Sequence, residues 1–160
     1  MPAKHLRKTR PVPIISKIMH EHRLLYMDHS GVITATDVAD NYHQFRKMPG
    51  AHHVRFVLAD LRHLEGLRAY FDGMTSVAHI IVADGEEMEE PWEIALVSDD
   101  TGQYPLLLDY ASQVRRSGKL RCEVLPTLER ALDWMGLAQD VLHDIETAKS
   151  GTVQSIDGTT

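Results

Sequence analysis

The sequence predicts an α/β fold: a mixed, mostly parallel sheet of about five strands joined by crossover helices. Three observations predict it. Two extended runs open the chain, and stretches of helical period then alternate with short apolar runs in the order ββαβαβαβα. That alternation implies right-handed crossovers between parallel strands. The run Ile94-Ala95-Leu96-Val97 is continuous rather than alternating, as in strands covered on both faces.

At 160 residues the chain is of single-domain length, with room for one core. The expected layout is a basic arm over 1–13, one α/β domain over 14–146 and a small, polar tail over 147–160. The net charge of -6 argues against binding nucleic acid through phosphates. A single cysteine, Cys122, excludes an intrachain disulfide and a cysteine-based zinc site. No apolar run has the length of a membrane span, and the N-terminus lacks the apolar stretch of a secretory signal, so the expected location is the cytoplasm.

Ile14–Met19 and Arg23–Asp28 are the opening strands, with His20-Glu21-His22 between them. Leu24 and Tyr26 share one face of the second and Leu25 and Met27 the other, so both faces are expected to be covered. Asp28-His29-Ser30-Gly31 reads as its end. Thr34 and Asp37 form a helix start, and Val38, Tyr42 and Phe45 follow at core-facing spacing until Met48-Pro49-Gly50 stops the helix. Val54–Asp60 is the central strand, ending on a carboxylate and opening into the polar stretch Leu61–Gly66, read as a turn. Leu67 to about Ala83 has helical period, with Tyr70, Met74, Val77 and Ile81 on one face; its β-branched end, Ile80-Ile81-Val82, also admits a strand.

The acidic stretch from Asp84 to Glu93 reads as a solvated loop. Trp92–Ser98 is the next strand, Asp99–Gly102 a turn, and Tyr104–Arg116 a helix with Pro105 in its first turn. Leu120, Cys122 and Val124 alternate with Arg121 and Glu123, which predicts a half-exposed strand near an edge. Thr127 caps a last helix that buries Leu128, Ala131, Leu132 and Met135 and closes at Gly136, with more helix through Leu137–Ile145.

Four patterns carry a family resemblance. They are Ser30-Gly31-Val32-Ile33-Thr34, leading into the first helix; Val57-Leu58-Ala59-Asp60-Leu61-Arg62; Ile94-Ala95-Leu96-Val97-Ser98-Asp99-Asp100; and the stretch Val124–Leu137, with Ala131-Leu132-Asp133-Trp134-Met135 at its centre. In this order, over residues 14–137, the chain resembles the SpoIIAA-like branch of the STAS superfamily, also described as STAS/SEC14-like. The resemblance implies a noncatalytic domain that binds a partner protein or a small apolar ligand. Anti-sigma-factor antagonists of that superfamily are switched by phosphorylation of a serine after the central strand. Here Arg62-His63-Leu64-Glu65-Gly66 has no hydroxyl residue, so that switch lacks its acceptor.

Candidate site residues gather at the strand ends, where α/β proteins place ligands: Asp60, Arg62, His63, Glu65, Ser98, Asp99 and Tyr104. Asp60 and Arg62 share a face if the strand persists, and their plain reading is an ion pair or a turn contact. A receiver-type site needs a pair of acids after the first parallel strand, whereas Asp28-His29 offers one acid. The histidines show no HExxH or other dense ligand pattern, and GxSxG, Walker and GxGxxG motifs do not occur. No metal or cofactor is expected. The favoured function is a regulatory or scaffolding module that binds a protein partner or a second copy of itself, as a homodimer. Two alternatives stand beside it: a carrier of a lipid-like ligand between a helix pair and the sheet, and an enzyme using Asp60, His63 and Ser98.

Overall fold

The computed structural model describes residues 13–68 and 71–147. All but the last residue of the expected arm over 1–13, all but the first of the expected tail over 147–160 and the expected helical position Tyr70 lie outside these residues. Five strands form one sheet in sequence order: β1 (Ile14–Met19), β2 (Leu24–Thr34), β3 (Phe56–Arg68), β4 (Glu93–Val97) and β5 (Arg121–Leu125). β1 is antiparallel to β2, and β2 to β5 run parallel. The helices are α1 (Ala35–Arg46), α2 (Phe71–Glu86), α3 (Tyr104–Arg115), α4 (Leu128–Met135) and α5 over 141–147. The expected mixed, mostly parallel α/β sheet is the observed one.

Consecutive parallel strands that are also neighbours send every right-handed crossover to the same face. α1, α2 and α3 accordingly share one layer, where Phe45, Val77, Ala111 and Val114 meet Leu25, Val57, Ile94 and Leu96 of the sheet. The chain then turns back after β5. α4 and α5 cover the other face, with Leu128, Leu132, Val141 and Ile145 against Tyr26, Leu58, Ala95 and Val97. Both faces of β2 are covered, as its two apolar rows predict.

Local chemistry sets the boundaries. His20–His22 forms a short 3₁₀ turn, and Arg23 leaves it at φ 54°. Thr34 and Asp37 close a reciprocal cap, with Asp37 N–H donating to Thr34 Oγ1 at 3.1 Å and Thr34 N–H to Asp37 Oδ2 at 3.0 Å. Such a cap contributes about 1 kcal/mol. β5 is an edge strand, and Arg121 both pairs with Glu93 at 2.6 Å and lies 4.5 Å above the Trp134 ring. These charges discourage further pairing along that edge.

Three expectations are corrected. β2 does not end at Asp28–Gly31 but continues to Thr34; register shifts between Asp28 and Ser30 and between Gly31 and Val32 absorb the irregularity. Gly31 adopts φ 71°, which a side chain would resist. β3 does not turn at Leu61–Gly66 but runs to Arg68, because β2 stays paired beside it to the end. α2 extends to Glu86, so Asp84 and Glu86 are helical rather than loop, and Ile80–Val82 is helix. β1 reaches only to the level of His29, and β4 only to Asp60. Beyond those points β2 and β3 leave the sheet as a two-stranded ribbon.

Cys122 is 1% exposed beneath the helical layer, and burial pushes its thiol up to about 12. A thiol that is neither ionised nor reachable is inert. The native protein is expected to react with a disulfide reagent at least about a hundredfold more slowly than the denatured chain. Comparable rates in the two states would contradict this burial.

Candidate functional site

Asp60 is the last residue of β3 with a strand on each side, Asp28 on β2 and Val97 on β4. It is fully buried. Because β3 continues, Arg62 emerges on the same face, and its guanidinium grips the carboxylate with two bonds of 2.9 Å, Nε to Oδ1 and Nη2 to Oδ2. The Arg62 backbone N–H adds a 3.2 Å bond to Oδ1, and the Tyr26 hydroxyl donates to Oδ2 at 2.7 Å. Burial alone drives the Asp60 carboxyl up; the Arg62 and Tyr26 bonds outweigh it and hold the group below its ordinary 3.8. Reciprocally, these bonds raise the Arg62 pKa, and Asp99 adds to the negative field around it. The phenol of Tyr26 is pushed up, by burial first and then by Asp60. Asp60 is therefore a fixed anion, unsuited to exchanging protons near neutrality.

The other candidates divide. His63 is exposed on the ribbon, with Nδ1 3.2 Å from Asp28 Oδ1. Glu65 is also exposed, lying over Gly31 on the neighbouring strand. Ser98 is buried at the end of β4. Its hydroxyl accepts from the Asp100 N–H at 3.2 Å and donates to Gln103 Oε1 at 3.4 Å, and its carbonyl accepts from the Tyr104 hydroxyl at 2.9 Å. Asp99 beside it is exposed. Among the described residues no hydrogen bond joins Ser98 to Asp60 or His63, so the three do not form a nucleophile relay. One donor atom each from Asp28, Asp60 and His63 lie within 4.8 Å of one another. Both oxygens of Asp60 already hold Arg62 and Tyr26, so a cation there would have to displace a guanidinium.

A second feature lies on the opposite face, where the carrier alternative expects a ligand between helices and sheet. Between the sheet and α1, α2 and α3 is a cavity of about 110 Å³. The sheet contributes Leu25, Val57, Ala59 and Leu96, and the helices Val38, Phe45, Ile81 and Leu107. These residues had been legible only as core-facing stripes. The polar groups at its wall are His29, Asn41, Tyr42, Trp92 and Tyr110. Asn41 is already engaged, accepting from Ser16 Oγ at 2.9 Å and donating to Met27 Sδ at 3.2 Å. Tyr42 donates to Asp84.

His29 is 5% exposed, and its Nδ1 lies 3.3 Å from the Met27 carbonyl. Burial is the largest influence on it and lowers its pKa from 6.5. A histidine held neutral in the fold contributes stability that is full above its unfolded value of 6.5 and declines as pH falls towards its lower folded value. Denaturant midpoints taken from neutral to mildly acid pH are expected to fall, and His29→Leu to flatten that slope. An unchanged slope in the variant would assign it to the other histidines.

No protein-family model matches the chain, and no curated protein matches it. Among solved structures it is similar to an uncharacterised DUF3478-family protein with a SpoIIAA-like fold from Shewanella loihica PV-4. The two are 15% identical, with a TM-score of 0.49, over 76% of this chain and 90% of that one. No helix among the described residues is long and apolar enough to cross a membrane.

Proposed function

We propose that this chain is a noncatalytic binding module that holds a small apolar ligand between the sheet and the α1–α3 layer. The observation that carries this reading is the cavity of about 110 Å³, walled almost wholly by hydrocarbon and aromatic groups. Protein interiors are otherwise close-packed, and voids of this size are few. An apolar cavity of about 150 Å³ takes up benzene, and this one, at about 110 Å³, is of the same order. The arrangement at Asp60 favours binding over catalysis, because its groups are locked in mutual bonds. Titrating ¹⁵N-labelled protein with toluene tests the reading: the amides of Ala59 and Leu96 are expected to shift in a saturable way. Native mass spectrometry of gently purified protein then asks whether an apolar molecule accompanies it. Absence of any saturable shift would remove the reading.

A second reading, self-association through the ribbon, has its own observation. Val32 is 44% exposed there, and beyond the level of His29 the outer edge of β2, on which it lies, is not paired by β1. An unpaired edge is a template for another strand, and a second copy supplies one. Sedimentation of the native protein and of Val32→Asp checks it, because a dimer that survives the added charge does not use this edge.

A further inference from the structure

We propose that the cavity's occupant is a neutral molecule of about single-ring size carrying an oxygen that accepts hydrogen bonds, and that Trp92 and Tyr110 receive that oxygen. This rests on the cavity being a ligand site and specifies the ligand's chemistry. The observation behind it is an orphan donor. Trp92 is 1% exposed and lines the cavity, and its Nε1 is buried without a hydrogen-bond partner. It is the one buried side-chain nitrogen or oxygen of that kind among the described residues. Buried donors are satisfied in the great majority of cases, and each exception calls for a cause such as a missing partner.

Tyr110 supplies the second group. It lines the same cavity, is 7% exposed, and its hydroxyl makes no hydrogen bond among the described residues. The contrast with Tyr42 is informative, since that hydroxyl, also at the cavity wall, is bound to Asp84. An indole N–H only donates, and a phenol donates readily. The group that satisfies both is an acceptor oxygen, such as a carbonyl, an ether or a hydroxyl.

The wall also says what the ligand is not. Among the described residues no lysine, arginine, aspartate or glutamate lines the cavity. Its titratable groups among the described residues are His29, Tyr42 and Tyr110, and burial keeps each of them in the neutral form. A carboxylate or ammonium ligand would be stripped of water with no countercharge, which is strongly unfavourable. The cavity volume of about 110 Å³ adds the size limit.

Three compounds of nearly one shape test the proposal: acetophenone, α-methylstyrene (the carbonyl oxygen replaced by a methylene) and benzoate. Binding is measured by calorimetry or ¹⁵N titration on the full chain and on Trp92→Phe and Tyr110→Phe. The expected result is that each variant weakens acetophenone at least about fivefold, while α-methylstyrene changes by less than about twofold. Benzoate is expected not to bind. If Trp92→Phe does not fold, Tyr110→Phe decides alone, because it removes one oxygen and keeps the ring. The proposal is overturned if both neutral compounds respond alike to the substitutions, or if benzoate binds as well as acetophenone. Failure of α-methylstyrene and acetophenone alike to bind the native protein would overturn the ligand-site reading beneath it as well.

Discussion

Arg62→Ala is expected to destabilise the fold by about 3–5 kcal/mol, the cost of stranding a buried charge. Asp60 is fully buried at the centre of the sheet, with a strand on either side, so it cannot rotate towards water. The substitution removes both 2.9 Å bonds and leaves the carboxylate with the Tyr26 hydroxyl and one backbone N–H. The converse change is milder. Arg62 keeps 29% of its side chain exposed and turns to solvent when its partner is neutral. Asp60→Asn is therefore expected to cost about 1–2 kcal/mol. The two variants also differ in acid. In the native protein the Asp60 carboxyl is held below 3.8, so its contribution is complete above that value and is lost as pH falls through the lower folded value. Without Arg62, burial prevails and raises that pKa, so the variant is expected to recover part of its loss as the carboxyl protonates in mild acid. Urea unfolding at neutral pH and in mild acid measures both effects. Asp60→Asn proving costlier than Arg62→Ala would refute the asymmetry.

Ala59→Leu is expected to abolish uptake of an apolar ligand, weakening toluene at least about tenfold, without lowering the melting temperature. Ala59 is 4% exposed in the middle of β3, and it faces the cavity. A methyl there leaves empty space, and a leucine fills it with three further carbons, each worth about 0.8 kcal/mol when buried. Filling a void avoids the strain that the same change produces in a packed core. The matched control is Ala95→Leu, on the neighbouring strand but fully buried against the α4 layer and away from the cavity, where overpacking is expected to cost about 1–3 kcal/mol. Calorimetric melting with and without toluene separates the two. Undiminished toluene binding by Ala59→Leu would place the ligand elsewhere.

The fold was largely legible because its signals are local or periodic. Thr34 with Asp37 and Thr127 before Leu128 announce helix starts, and the continuous run Ile94–Val97 announces a strand covered on both faces. The errors share one cause. Asp28–Gly31 and Arg62–Gly66 each have turn chemistry, but each is held extended by the other across the ribbon. Turn propensity is a property of a segment alone, and pairing between residues about thirty positions apart overrides it. The Asp60–Arg62 ion pair was readable from spacing, whereas Tyr26, which completes it, was readable only as a strand residue. The cavity left a faint mark: Trp92 and Tyr110, which line it, are as consistent with an apolar pocket as with plain core, and the spacing does not choose between the two. A stripe such as Val38, Tyr42 and Phe45 has the same spacing whether its side chains close on their neighbours or stand back from them.

The sheet divides the interior into two layers that differ in filling. Towards α4 and α5 the side chains form one buried cluster, and towards α1, α2 and α3 they border the cavity. Under hydrostatic pressure, states that eliminate internal voids are favoured in proportion to the volume removed. Compression therefore acts unequally on the two sides. The three crossover helices yield first, with α4 and α5 still seated on the sheet, and a molecule lodged in the void takes away the volume that pressure would otherwise exploit.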